Sequence, residues 1–365
     1  MPEIHPAATA AFSDAILSVS GEVVQRVNPL DDFHWDAKLA NCPGVSFFHG
    51  AAWARVLCDT YGYTPTYFII SEAGSIRSLL PFMEVNSWLT GRRGVALPFT
   101  DECEPVCSNR AHFHRLWHEA LNFAKRRGWK YAECRGGKCF FDERPASTSF
   151  FGHRLDLQHN ESDLFSKVDG SVRRAIRKAN QSGLTVEFSH SFEAVRSFYF
   201  LLCKTRKRHG LPPQPYPFFQ NIYRYILKMR KGCVVLAKLG QVPVAGAFFF
   251  HFGRTALYKF GASDDTLQHL RANNLVMWEA IKWHRKQDFE ILDFGRTSRS
   301  NEGLRKFKLG WGTIEKTVDY LRYDCRADDF VIAKDEASGW HNRIFKLLPE
   351  VLSRAVGSAL YKHVA

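Results

Sequence analysis

The chain runs through one structural plan twice, and that plan confines it to an α/β architecture. In the first pass a helix ends on Tyr61-Gly62, and a strand is predicted over 67–71. Glu72-Ala73-Gly74-Ser75 then turns the chain into a return strand over 76–85. In the second pass a helix over 218–231 precedes a strand over 233–238, a turn at Gly240 and a return strand over 244–252. Each hairpin leads through more strand to a helix, over 112–127 and 269–287, that feeds a buried strand at 129–133 and 289–293. The spans Gly74 to Glu133 and Gly240 to Asp293 are similar, so order and spacing both argue for duplication of one α/β unit. Between the passes, 142–149 carries Pro145, Ala146, Ser147 and Thr148 and reads as a linker.

Further elements follow from local signals. A strand is expected over 151–157, and a helix over 171–181 that Ser182-Gly183 stops. Phe192, Val195, Tyr199 and Leu202 recur on one helix face. Leu211-Pro212-Pro213-Gln214-Pro215-Tyr216-Pro217 predicts a rigid, non-helical loop, and Gly253-Arg254 suits a tight hairpin. Beyond 325, a tail over 340–365 spaces Phe345, Leu348, Leu352, Val356 and Leu360 among cations, with Pro349 kinking it or marking the helix start. Packing on the body and contact with an anionic membrane are both open to such a helix.

Composition excludes several classes. Hydrophobic residues at 45% rule out global disorder, and 365 residues fit two domains. The longest apolar run, 244–250, is far short of a membrane span of about 20 residues. Residues 1–20 carry Glu3 and Asp14 without a basic start, so no secretory leader is expected. Nine scattered cysteines then imply reduced thiols and a cytoplasmic protein. Fifty Lys+Arg against 37 Asp+Glu give +13, which points to an anionic partner.

The chemistry concentrates late in the chain. The apolar 289–292 run ends on Asp293-Phe294-Gly295-Arg296, and Arg305-Lys306-Phe307-Lys308-Leu309-Gly310-Trp311-Gly312 follows. A cationic cluster is thereby set at the end of a sheet, where α/β proteins bind ligands. Arg296 is suited to bidentate capture of phosphate or carboxylate, or to pairing with Asp293 or Glu302. Arg173, Arg174, Arg177 and Lys178 put four cations on two helical turns, and Arg206, Lys207, Arg208 and His209 form a second patch. Phosphates of nucleotide-linked, lipid-linked or tRNA substrates suit them electrostatically; sequence-specific readout, and hence DNA, has no support. Cys103-x3-Cys107 and Cys134-x4-Cys139 lack zinc-knuckle spacing, so no metal is assigned. Histidines 112, 114 and 118 are expected at the surface.

Six segments in order carry a resemblance. They are Phe47-Phe48-His49 with Trp53 and Tyr61-Gly62; Leu97-Pro98-Phe99-Thr100-Asp101-Glu102; Val172 to Ala179; Thr205 to Pro215; Tyr258-Lys259-Phe260-Gly261-Ala262-Ser263-Asp264; and Asp293 to Gly312. Across about 20–325 the chain resembles the FemAB-like acyl- and aminoacyltransferases, relatives of the GNAT acetyltransferases, nearest the subset tied to exopolysaccharide and exosortase loci. The resemblance implies an α/β (α+β) fold of two tandem GNAT-like domains with mixed central sheets, at 20–145 and 150–325. It implies transfer of an acyl or aminoacyl group to an amine of a cell-envelope glycan or peptidoglycan-type precursor. Lys308 matches the lysine that stabilises the oxyanion, and Asp101 an acid near the acceptor amine. Arg296, Arg173, Arg174, Arg177, Arg206, Tyr258 and Trp311 would bind substrate.

The implied donor is acyl-CoA or aminoacyl-tRNA, with no tightly bound cofactor. Arg271-Ala272-Asn273-Asn274-Leu275-Val276 lacks the glycine and the small last residue of an acyl-CoA pyrophosphate loop. The coiled-coil arm of tRNA-using relatives is missing too, so the residues favour neither donor. The acceptor would be a phosphorylated small molecule or a lipid-linked glycan, reached through peripheral contact of the tail at the inner membrane face. Two alternatives stand beside this reading: an acyl-CoA-dependent N-acyltransferase for a small-molecule or exopolysaccharide amine, and a non-catalytic binder of phosphorylated glycolipid.

Overall fold

The computed structural model describes residues 23–332 and 348–363, apart from 41 and 73. Among the described residues thirteen strands form one mixed sheet, whose order makes the duplication visible. The first half contributes β1 (Val24–Val27), β2 (Thr64–Glu72), β3 (Ser75–Ser87), β4 (Gly91–Ala96) and β5 (Tyr131–Arg135). The second contributes β7 (Leu184–Ser189), β8 (Gly232–Leu239), β9 (Val242–Phe252), β10 (Thr255–Ser263) and β11 (Ile291–Ser298). The strand order is β1-β2-β3-β4-β5-β12-β6-β11-β10-β9-β8-β7, so each half reads outward from the centre in the same sequence.

At the centre the halves exchange strands. β6 (Thr148–Asp156) leaves the first half and pairs with β11, while β12 (Ile314–Asp324) returns from the second half to pair with β5. β6 and β12 pair antiparallel with each other and close the seam; β13 (Asp329–Val331) adds to β12. Ion pairs repeat the symmetry. Arg322 on β12 sits opposite Glu133 on β5 and donates to it at 2.6 Å, as Arg154 on β6 sits opposite Asp293 on β11 and donates at 2.9 Å.

Helices cover both faces. α1 (Trp35–Leu39) and α2 (Ala51–Tyr61) belong to the first half; α3 (Arg110–Arg127) starts where Asn109 accepts the His112 N–H and ends at a left-handed Gly128. α4 (Glu161–Lys167), α5 (Gly170–Asn180), α6 (Phe192–His209), α7 (Tyr216–Ile222) and α8 (Ala272–Lys286) belong to the second. The proline-rich loop is shorter than expected, since Tyr216 and Pro217 open α7. A proline in the first turn sacrifices no hydrogen bond. One aromatic core is common to both halves: Trp53 of α2 packs on Phe218, and Phe47 stacks on Phe250 at 4.7 Å.

Of the tail, residues 340–347 lie outside the described residues. Pro349 caps a helix over Glu350–Leu360 that packs on the body. Gly357 lies so close to the Pro213 carbonyl that a Cβ would sit 2.1 Å from it. Tyr361 donates to the Pro212 carbonyl at 3.1 Å, and Tyr63 to the carbonyls of Tyr361 and Lys362. Val351 and Leu352 face outward, 75% and 52% exposed. Among the described residues no helix is long and apolar enough to cross a membrane.

Candidate active site

β10 and β11 run parallel, yet only Thr255–Leu257 pairs with Ile291–Asp293. Beyond that rung both strands lose register. β10 bulges between Tyr258 and Phe260, and β11 between Asp293 and Arg296. Bulges re-aim side chains, and here they open the sheet into a gap that buried charges fill. Gly295 makes the second bulge. Its φ is +67°, and a Cβ there would lie 2.9 Å from the Asp101 carboxyl carbon. Gly295→Ala is therefore expected to lower stability by at least about 1–2 kcal/mol from the left-handed backbone alone, readable as a lower urea midpoint.

Asp101 enters the gap on a well-tethered loop. Trp53 and Arg135 donate to the carbonyls of Pro98 and Leu97, and Tyr320 donates to the Asp101 carbonyl at 2.7 Å. Its carboxylate accepts from Lys259 at 2.7 Å and more weakly from the Arg296 N–H. Burial raises the Asp101 pKa, but Lys259, Arg296 and Lys308 outweigh it and hold the carboxyl below its ordinary value. Such a carboxylate is a poor base.

Lys308 reaches the gap from the opposite face of the sheet. It lies in the last turn of α9 (Glu302–Leu309), a helix where sequence reading expected only a basic segment. Arg305 of α9 lies over the Phe151 ring, while the neighbouring Gly152 and Arg154 line a cavity on the other face. The Lys308 ammonium, in a residue 2% exposed, donates to the carbonyls of Gly295 and Arg296 at 2.9 Å each. Two of its three hydrogens are thus spent on the back of the bulge. Burial lowers its pKa to about 8 against the pull of Asp101 and Asp293.

The cavity measures about 280 Å³. Its floor is the β10-β11-β6-β12 face and its wall the loops 44–49 and 101–104. Acids crowd it: Asp101, Glu102, Glu104 and Asp293 face Arg154, Arg296 and Lys316. Glu102 accepts from Lys316 at 2.5 Å and from Arg154 at 3.2 Å. Burial and a hydrogen bond with Glu104 nevertheless raise its pKa. Burial also raises that of Asp293, against Arg154 and the Gly295 N–H. His49 is locked neutral: Nδ1 accepts the Ser46 N–H, so Nε2 donates to the Glu104 carbonyl.

The Arg296 guanidinium stacks 4.0 Å over Phe150 and 5.0 Å over Tyr320. The two carboxylates weighed as its partners are engaged elsewhere, Asp293 with Arg154 and Glu302 with Arg305. Among the described residues no carboxylate forms an ion pair with its guanidinium, and the residue lines the cavity. The other nominated residues lie apart. Arg174 and Arg177 are exposed and Arg173 half-buried on α5, which packs on α8. Arg206 reaches Gln214 at 3.4 Å. Tyr258 packs between Phe249 and Phe294, and Trp311 is fully buried in the core against Phe307. Sequence reading had not singled out Glu102 or Lys259 within their motifs, nor Arg154. Strand register and the 101–104 loop bring them together.

A smaller cavity of about 170 Å³ opens at the N-terminus of α8, lined by Ser263, Asp264, Arg271, Asn273 and Asn274. Asp264 is held by Lys204 at 2.6 Å, and Asn273 donates to Ser263.

Residues 166–309 match the family model of the acetyltransferase (GNAT) domain. No curated protein matches the chain in sequence. Among solved structures, FemX aligns with a TM-score of 0.65 at 15% identity, over 81% of this chain and 96% of FemX. The C-terminal domain of a putative lysylphosphatidylglycerol synthetase from Agrobacterium fabrum aligns with a TM-score of 0.53 at 13% identity, over 80% of this chain and 90% of that domain. A tandem GNAT protein from the clavulanic acid biosynthesis pathway aligns with a TM-score of 0.52 at 11% identity, over 84% and 99%. At such identities the likeness speaks to the fold, which is that of tandem GNAT proteins.

Proposed function

We propose that this protein, an acyltransferase of the GNAT superfamily with a FemAB-like fold, moves an acyl or aminoacyl group onto an amine of a cell-envelope glycan or peptidoglycan-type precursor. One observation carries the reading: a cavity rich in carboxylates lies over a strand bulge whose back is held by the buried Lys308 ammonium. Carboxylates suit an acceptor that arrives as an ammonium ion. A fixed positive charge suits a carbonyl that turns into an oxyanion.

In this mechanism Glu102, with its raised pKa, takes the proton from the acceptor ammonium. The freed amine attacks the donor carbonyl, the C–N bond forms, and the C–S or C–O bond to the carrier breaks as the remaining surplus amine proton passes to the carrier sulfur or oxygen. Lys308 stabilises the oxyanion electrostatically through the Gly295-Arg296 bulge, in surroundings where burial weakens screening. Asp101 keeps Lys259 and the bulge in place. We divide the chain into units at 20–145 and 150–325, with the acceptor at the seam between them.

Arg296 would bind a phosphate or carboxylate of the acceptor. Arg296→Ala should raise KM for such an acceptor about 10–100-fold, the loss of one or two charge-assisted hydrogen bonds, with little change in kcat. Equal KM values in the two proteins would remove Arg296 from acceptor binding. The donor is acyl-CoA or aminoacyl-tRNA. The lysylphosphatidylglycerol synthetase domain, as named, fits a lipid acceptor, and the matched GNAT domain fits an acyl-CoA donor. The deciding assay offers charged tRNA and, separately, a panel of acyl-CoAs, with amino sugars and lipid-linked glycans as acceptors. Transfer from either donor supports the reading; binding of a glycolipid without transfer from any donor would favour a non-catalytic binder.

A further inference from the structure

Three side chains outside the cavity converge in the core of the second half. Cys233 on β8, His251 on β9 and His284 on α8 bring donor atoms within 4.8 Å of one another. They lie on the face covered by α8, whereas Phe252 and Thr255 face the cavity on the other side. Aromatic rings enclose the trio: Phe249 is 4.9 Å from His284, Phe289 is 4.7 Å from His251, and Trp283 stacks on His251 at 5.9 Å. Nothing in the acyl-transfer mechanism uses them.

The hydrogen-bond pattern fixes which atoms are free. His284 Nδ1 lies 2.7 Å from the Ala280 carbonyl, which can only accept, so Nδ1 carries the hydrogen and Nε2 offers a lone pair. That lone pair faces His251 Nε2 at 2.9 Å. A backbone carbonyl behind one imidazole is the arrangement that orients histidines toward metal ions. Burial holds the two imidazoles down to about 3 and about 4, so both are neutral, as ligation requires.

We propose that Cys233, His251 and His284 bind one Zn2+ ion, which clips α8 to the β8–β9 hairpin. One thiolate and two imidazoles form a borderline-soft donor set that suits zinc, with water completing the tetrahedron beside the half-buried His251. Zinc–nitrogen bonds of about 2.0–2.1 Å would set the two Nε2 atoms about 3.3 Å apart, a small opening from the ion-free contact. On binding, His251 shifts its hydrogen from Nε2 to Nδ1 and Cys233 releases one proton to solvent. The bound cation keeps the thiolate, although burial pushes the free thiol up to about 12.

The test uses the full chain, stripped with chelator and titrated with Zn2+ and with Co2+. The expected result is one ion per chain, with Co2+ giving intense tetrahedral visible bands and a near-ultraviolet thiolate-to-cobalt band. Cys233→Ala should lose the thiolate band, and His284→Ala should lose stoichiometric binding. Zn2+ should raise the unfolding temperature of the natural protein and leave that of Cys233→Ala unchanged. Near-ultraviolet circular dichroism of ion-free Cys233→Ala reports whether that variant folds. Less than one ion per natural chain, or a Co2+ spectrum without the thiolate band, would overturn the proposal. Neither outcome bears on the acyltransferase reading, because the trio does not line the cavity.

Discussion

Lys308→Met is expected to lower kcat by up to about 10²–10³-fold, the loss of a donor that touches a developing oxyanion being the upper bound for a charge acting from behind the bulge. Affinity for donor and acceptor should hold, because the ammonium lies behind the bulge rather than in the cavity. The natural enzyme should also lose activity as pH rises through about 8, where the buried ammonium gives up its proton. Stability should move the other way. Between about 8 and the ordinary lysine value of 10.5 the unfolded chain binds a proton that the folded chain does not, so this group's contribution to stability rises with pH across that window. A purely structural lysine would not tie an alkaline limb in kcat to its own titration. Initial rates from pH 6 to 10 decide, and an alkaline limb that persists unchanged in Lys308→Met would end the electrostatic role.

Glu102→Gln should cost about 10²–10⁴-fold in kcat, the range of a positioned general base. The base must be ionised to work. Activity should therefore fall as pH drops through the Glu102 pKa, which burial and Glu104 set above the ordinary 4.5. Glutamine keeps the shape and can still meet Lys316 and Arg154 through its oxygen, so KM should change little. If the Gln variant keeps both its rate and its acid limb, the proton leaves by another route. Together the two titrations predict a bell-shaped profile whose limbs vanish one at a time in the two variants.

Much of the architecture was legible in the residues. The hairpins around Gly74 and Gly240 and the helices at 112–127 and 269–287 fall where periodicity and turn chemistry put them, within a few residues of α3 and α8. The start of the 269–287 helix differs because Arg271 takes a left-handed conformation that splits a short 3-10 turn, Asp265–Leu270, from α8. The exchange of β6 and β12 was not legible, since pattern reports burial and not the partner strand. The same limit hid the charges that line the cavity. Glu102, Arg154 and Lys316 are far apart in sequence; the β6–β12 register sets Arg154 beside Lys316, and the loop held by the Cys103–Arg135 bridge carries Glu102 to them. Lys308 could be nominated through the resemblance, but its approach from behind a bulge depends on α9 packing against β11 and β6. Trp311, grouped with the ligand-binding residues by its motif, is fully buried.

The crossed strands at the seam mean that neither half owns a complete sheet. A fragment ending near residue 145 would expose the edge of β5 that β12 now covers, and a fragment beginning there would leave β12 with β6 but no outer neighbour. Such open edges invite aggregation, so separately produced halves should be insoluble until mixed. In the intact chain the interlock also removes the freedom to hinge: whatever admits donor and acceptor must be loop movement at the rim, not the opening of one lobe from the other.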